Sequence, residues 1–397
     1  MNLYRAKIAL KCKLDTLKGA FKIFKQILTG LAVAALFSTA TPTIISSNTD
    51  KVQASSYSRS AMRSYVRNTL AQSNSRGSTV IIKNGKPQQI SYGWAWYGKR
   101  IGNGNDSVVY PTASLQKVVT AAMVVQLMNE KWHTSDRFSQ NTKISRWYPE
   151  LKNADNITLG QLMTHTSGIN AVNTEADRGT DYSEDDAVKW AIDNANSTDS
   201  GTPGTYFYNN TNYILLAGII KKVSGQSYET NFNNRIVNKL GLANTYLYQN
   251  IPSWKTDPIS YIWNVKNYQD PEYITKTQAS QLVGAANMFT TPMDYYKIQV
   301  GLSNGAILNK SDFYYLTHLR SRVNNYSGGI YLDNNDTIKS AYGNLGGTHF
   351  GIWFQMTTDN RNGLIMFLNQ TAGDENAQKQ VGYQILNHIK PYTFIAG

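Results

Sequence analysis

The chain has 397 residues, 41% hydrophobic and 12% aromatic, enough to bury a large core and too aromatic for a disordered chain. Its formal net charge of +13 points to an anionic partner. Its one cysteine, Cys12, excludes an intramolecular disulfide framework and any zinc site built on cysteines.

Residues 1–54 read as an export signal or as an uncleaved N-terminal anchor. A basic region runs to Gln26, and the apolar core Ile27–Phe37 follows. Small residues then offer cleavage after Ala40 or after Ala54. The 11-residue core is short beside the roughly 20 residues of a membrane span, which favours secretion. This segment holds eight basic residues and two acids, so it carries +6 of the charge and the remainder carries +7. Cys12 lies inside it, so the exported part has no cysteine.

Residues 55–77 read as a linker with a short helix at Ala61–Ala71, and residues 78–397 as one domain. Ser78–Lys83, Asn84-Gly85 and Gln88–Trp94 form a predicted hairpin with a tight turn. Ser107–Tyr110 is strand-like and ends at Pro111. Ser114–Lys131 is helical and apolar on nearly all sides, as a central buried helix is. Helices are predicted at Ser183–Asn194 and Asn212–Ser224. Ile352–Met356 and Leu364–Leu368 read as strands, and Asp374–Ile389 as a closing helix. Strands at both ends with helices between them imply an α/β (α+β) fold: one sheet built from both termini, with a helical insertion.

Ser114-Leu115-Gln116-Lys117 is an S-x-x-K. Positions i and i+3 share a helix face, so the hydroxyl and the amine can meet. At a helix N-terminus the serine also has free backbone N–H groups suited to an oxyanion. Apolar neighbours disfavour a charged Lys117. Taken alone, the tetrapeptide better suits a capping serine and a surface lysine. Downstream, Tyr208 and Asn210 form a Y-x-N just before an apolar helix. Tyr208 could take the serine proton if a cation lowers its pKa, and Asn210 could bind a substrate amide or carbonyl. A literal G-x-S-x-G at Gly301–Gly305 follows a helix-like stretch, not a strand, and so is no nucleophile elbow. With no HExxH, no GxGxxG and five scattered histidines, no metal or cofactor site is expected, and nothing points to nucleic acid.

In these motifs the chain resembles the penicillin-binding protein and class C β-lactamase-like serine hydrolases, from about Ser78 to Ile389. Ile157–Gly168 is similar to the family's ITLxxLLTHTSG signature, and Gly284–Asp294 to a segment lining the far side of its site. The resemblance implies a β-lactamase/transpeptidase-like antiparallel sheet flanked by helices, with an all-helical region. It implies Ser114 as nucleophile, Lys117 and Tyr208 as proton relay, and a structural His165. The family's third motif, Lys-Thr-Gly or His-x-Gly, has no plain counterpart. Aligning the glycine pair Gly346-Gly347 puts Asn344 at the cation's place and a backbone N–H near Gly347 in the oxyanion hole. The alternative is the literal His349-Phe350-Gly351. The missing cation weakens the expectation of carboxylate-bearing substrates such as β-lactams and D-Ala-D-Ala peptides. The expected substrate is a D-alanyl group of a cell-envelope polymer, with the ester of teichoic acid preferred over peptidoglycan. A DD-carboxypeptidase, a β-lactamase and a non-catalytic envelope binder are the alternatives. The N-terminus implies a secreted protein, with association to the wall or the membrane surface.

Overall fold

The computed structural model describes residues 58–389. The expected export segment and Cys12 lie outside the described residues. Among the described residues no helix is long and apolar enough to cross a membrane.

Nine strands form the main sheet: β1 (Arg76–Lys83), β2 (Lys86–Tyr92), β3 (Ser260–Asn264), β4 (Lys266–Glu272), β5 (Tyr326–Ser327), β6 (Ile330–Asp333), β7 (Ile338–Gly343), β8 (Gly351–Thr357) and β9 (Gly363–Thr371). Their order is β5-β6-β7-β8-β9-β1-β2, antiparallel throughout. The β3–β4 hairpin joins the end of β9, where Gln370 faces Tyr261 in parallel pairing. The hairpin expected at Asn84-Gly85 is present, and both residues take positive φ (52° and 76°). That is the geometry a two-residue turn between right-twisted strands demands.

Alternation decides what each face of the sheet touches. Val80, Ile82, Ile365 and Phe367 join the larger core, with the helix Lys117–Lys131. Ile81, Leu364, Met366 and Trp353 join a second core, with the helices Arg59–Gln72 and Glu375–His388. Because both faces are covered, β1, β8 and β9 are buried almost end to end. Met62, Val66 and Leu70 pack into the second core, so the first helix is part of the domain and not of a linker before it.

The helices follow local rules. Ser183 caps Glu184–Asn196 by accepting from the Asp186 N–H, with three acids in the first turn against the helix dipole. Thr158 and Gln161 close a capping box at Leu159–Met163, a physical reason for the Ile-Thr-Leu-x-x-Leu pattern. The helix Thr211–Ser224 ends at Gly225 in the left-handed conformation. Helix Pro292–Gly301 precedes Ser303, so no strand leads into the Gly-x-Ser-x-Gly stretch. The segment between the terminal strands is not wholly helical, because β3 to β6 belong to it. In β4 the residues are mostly exposed and polar, and Tyr268 and Asp270 take positive φ, so no apolar alternation marks it.

Lys339 on β7 has no exposed surface. Its Nζ donates to the Gln299 carbonyl at 3.2 Å and lies 5.4 Å from the Phe313 ring centre. Burial pushes its pKa down to about 7, against an opposing pull from Asp359. In the unfolded chain the amine keeps its proton to about pH 10.4. The unfolded state therefore binds the extra proton between these values, and stability rises with pH across that window. Lys339→Met is expected to raise the denaturation midpoint, and by more at pH 6 than at pH 9. Chemical denaturation at both pH values checks it; a destabilised variant at pH 6 would contradict the reading.

Candidate active site

Ser114 stands where an extended segment becomes a helix. Tyr110–Pro111 is a short strand, Ala113–Gln116 a 3-10 turn, and Lys117 opens the long buried helix. Ala113, fully buried, takes φ +45°, a left-handed conformation that costs a non-glycine residue on the order of 1–3 kcal/mol. This kink lets the chain turn within one residue and leaves the Ser114 hydroxyl at the floor of a cleft.

The i to i+3 geometry expected of the S-x-x-K is realised: Lys117 Nζ lies 3.0 Å from Ser114 Oγ. Nζ also donates to Asn210 Oδ1 at 2.8 Å and to the Ala285 carbonyl at 3.2 Å. The lysine is fully buried, and desolvation lowers its pKa to about 7, partly offset by Glu175. A neutral amine has two N–H donors and one lone pair. Here two carbonyl oxygens take both donors, so the lone pair is left facing the serine hydroxyl.

Tyr208 donates its hydroxyl to Ser114 Oγ at 2.7 Å. The residue is 37% exposed, but its hydroxyl end points inward. Burial there raises its pKa well above 10, and Tyr331, Tyr213 and Tyr206 raise it further. Burial thus favours the protonated phenol, opposite to the lowering a nearby cation would bring. His165 lies beneath it, ring centres 4.1 Å apart. Its Nδ1 accepts from the Asn209 N–H and from Asn212 Nδ2, and burial keeps the imidazole neutral. It is a packing residue, as the resemblance implies.

Asn210 is placed differently from expectation. Its Oδ1 is taken by Lys117, and its Nδ2 donates to Glu175 Oε1 at 2.8 Å. With 4% exposure it bridges lysine and carboxylate and does not face the cleft. Gly346 and Gly347 also fall elsewhere. The Gly346 N–H donates to Glu175 Oε2, and both glycines line a neighbouring depression. His349 pairs with Asp270 at 3.0 Å, away from the cleft-lining residues. The glycine that meets the nucleophile is Gly343, at the end of β7. A Cβ there would come within 2.8 Å of the Ser114 nitrogen. Ala341, Tyr342 and Gly343 on β7 line the cleft beside the nucleophile. Asn344 follows Gly343, exposed in the cleft wall.

The cleft encloses about 520 Å³ and runs from Ser114 and Tyr208 along β7. Its charged lining residues are Glu175, Asp333, Glu375 and Lys379, and Lys379 is paired with Glu375. Glu175 and Gly343 had no local signal: one lies in an irregular loop, and the other matters only through packing. The Ala285 carbonyl falls within the Gly284–Asp294 stretch that sequence did single out. Among the described residues no cluster suits a metal ion.

This arrangement has counterparts. The Beta-lactamase family matches residues 62–386. The chain belongs to this family. It is a serine hydrolase of the S-x-x-K type. The teichoic acid D-alanine hydrolase of Staphylococcus aureus is 26% identical over 321 residues, 80% of this chain and 76% of that one. The crystal structure of FmtA from Staphylococcus aureus superposes with a TM-score of 0.67 at 23% identity, over 85% of this chain and 92% of that one. D-amino acid amidase from Ochrobactrum anthropi SV3 gives 0.67 at 18% identity, over 83% and 98%.

Gly343→Val is expected to cut the rate at which a fluorophosphonate labels Ser114 by about a hundredfold, the effect of displacing a reacting group by roughly 1 Å. Gly347→Asn, outside the cleft and at a positive φ that asparagine tolerates, should label like wild type. The reverse order would return the glycine pair to the site.

Proposed function

We propose that the protein is an exported esterase that removes D-alanyl groups from a teichoic acid of the cell envelope through a Ser114 acyl-enzyme. The observation that carries the reading is the charge of the cleft. Three carboxylates line it, and the lysine among its lining residues is paired with one of them, Glu375. A D-alanyl ester brings an ammonium and no carboxylate, so Asp333 and Glu175 attract it. A D-Ala-D-Ala peptide or a β-lactam brings a carboxylate and meets repulsion. The name of the Staphylococcus aureus relative supports the same substrate, and the N-terminal segment supports export.

In this mechanism the Ser114 hydroxyl gives its proton to neutral Lys117 as Oγ attacks the ester carbonyl. The Ser114 N–H and the N–H of Asn344, at the end of β7, hold the oxyanion. Tyr208, still protonated, gives its proton to the departing polymer oxygen and is reprotonated from Lys117. Water then releases D-alanine by the reverse relay. Asn210 and the Ala285 carbonyl keep the lysine amine aimed.

Purified protein should release D-alanine from D-alanylated lipoteichoic acid with a kcat/KM at least about tenfold above that for a D-Ala-D-Ala muropeptide, and Ser114→Ala should lower the rate by about a thousandfold or more. Asp333→Asn should narrow the preference for a D-alanyl ester over its N-acetylated analogue. Release from the muropeptide alone would overturn the ester assignment.

A further inference from the structure

Outside the cleft, cationic and aromatic side chains gather on one ribbon. Trp94–Trp96 pairs with Ile101–Gly102, and the turn Tyr97–Arg100 joins them. Lys99 Nζ sits 3.6 Å from the Trp96 ring centre, and the Arg100 guanidinium 4.4 Å from that of Tyr97. Arg100 takes φ +56°, an unfavourable conformation for arginine that holds its head over the ring. Tyr97 stacks on Tyr268 at 4.5 Å, which fixes the turn against β4. Lys99 and Arg100 are exposed, and among the described residues neither has an ion-pair partner within 4.0 Å, although the half-buried Asp257 feels Lys99.

The ribbon is continuous with the active site. Trp96 meets Tyr273 edge to face at 6.5 Å. Tyr273 lines the depression that contains Gly346, Gly347 and the carboxylates Glu175, Asp177 and Glu272, and Glu175 also forms the wall of the Ser114 cleft. A chain with one residue in the cleft can thus cross Glu175 and Tyr273 and reach Trp96, Lys99 and Arg100.

We propose that this track docks the phosphate-linked polyol backbone of the polymer whose D-alanyl ester occupies the cleft, a subsite that rests on the function proposed above. Phosphates meet Lys99 and Arg100, and the polyol carbons lie on the Trp96 and Tyr273 faces. The arrangement divides the substrate's charges: D-alanyl ammonium groups go to the acidic cleft and the acidic depression, and the phosphates to the basic ribbon. A neutral glycan would use the rings but not the cations.

The test compares hydrolysis of D-alanylated poly(glycerol phosphate) with that of D-alanylglycerol, for wild type, Lys99→Glu/Arg100→Glu and Trp96→Ala. Both variants should raise KM for the polymer by about fivefold or more, as loss of electrostatic attraction to a polyanion does. Their kcat, and all constants on D-alanylglycerol, should stay unchanged. The wild-type polymer KM should climb with salt, and that of the charge-reversed variant should not. Unchanged polymer KM in both variants, or equal losses on the small ester, overturns the track. If wild type hydrolyses neither ester, the function proposed above fails, and binding of de-alanylated poly(glycerol phosphate) against neutral peptidoglycan glycan strands still decides the track. Weaker polymer binding by both variants supports it; equal binding, or a preference for the glycan, ends it.

Discussion

The site depends on one costly placement: a lysine amine with no access to water. Lys117 opens a helix that is buried except in its last turns, and among the described residues no carboxylate forms an ion pair with its amine. Desolvation then sets its protonation, and the Asn210 and Ala285 carbonyls set its direction. The surrounding backbone is shaped to keep that placement. Ala113 accepts a left-handed conformation so that Ser114 can reach the amine. Gly329, with φ +91°, lies where a Cβ would strike the backbone of Lys117 and Val118. Gly343 allows β7 to close on the serine from the other side. Each departure from local preference is stored at the same spot, as expected where a fold trades stability for a reactive geometry.

A second theme is the separation of charge. The chain as a whole is basic, which by itself describes only a general attraction to anions. The cleft has the opposite sign, with Glu175, Asp333 and Glu375 around the nucleophile. Glu175 joins the two themes. Its carboxylate holds the Gly346 N–H and the Asn210 amide, so it ties the end of β7's loop to the residue that orients Lys117. It also raises the lysine's pKa, against the desolvation that brings it down to about 7.

Much of this was legible in the residue order, for definable reasons. Ser114 and Lys117 are three apart on one helix, so their meeting is a local fact. The terminal strands and helices announced themselves by period and by turn chemistry, as at Asn84-Gly85. Tyr208 was recognisable from its place before an apolar helix, but its proton affinity was not. That property arises from burial, and from Tyr331, Tyr213 and Tyr206 brought together from distant segments. Asn210 stands out in the sequence, but nothing local shows that both ends of its amide are engaged. At the third motif the conspicuous pair Gly346-Gly347 draws the eye, and it lines the neighbouring depression. Contact with Ser114 belongs to Gly343, which no local pattern marks. Strands β3 to β6 escaped notice because their residues are short-run, polar or exposed.

Direct titration of the Lys117 amine by carbon and nitrogen NMR, in the intact protein with labelled lysine, tests the central claim most plainly. A midpoint near 7 is expected for Lys117, read in the Lys339→Met background because Lys339 is pushed to about 7 as well. A midpoint near the ordinary lysine value of about 10.4 would mean that the amine is charged at rest, and would contradict its part as the group that takes the serine proton.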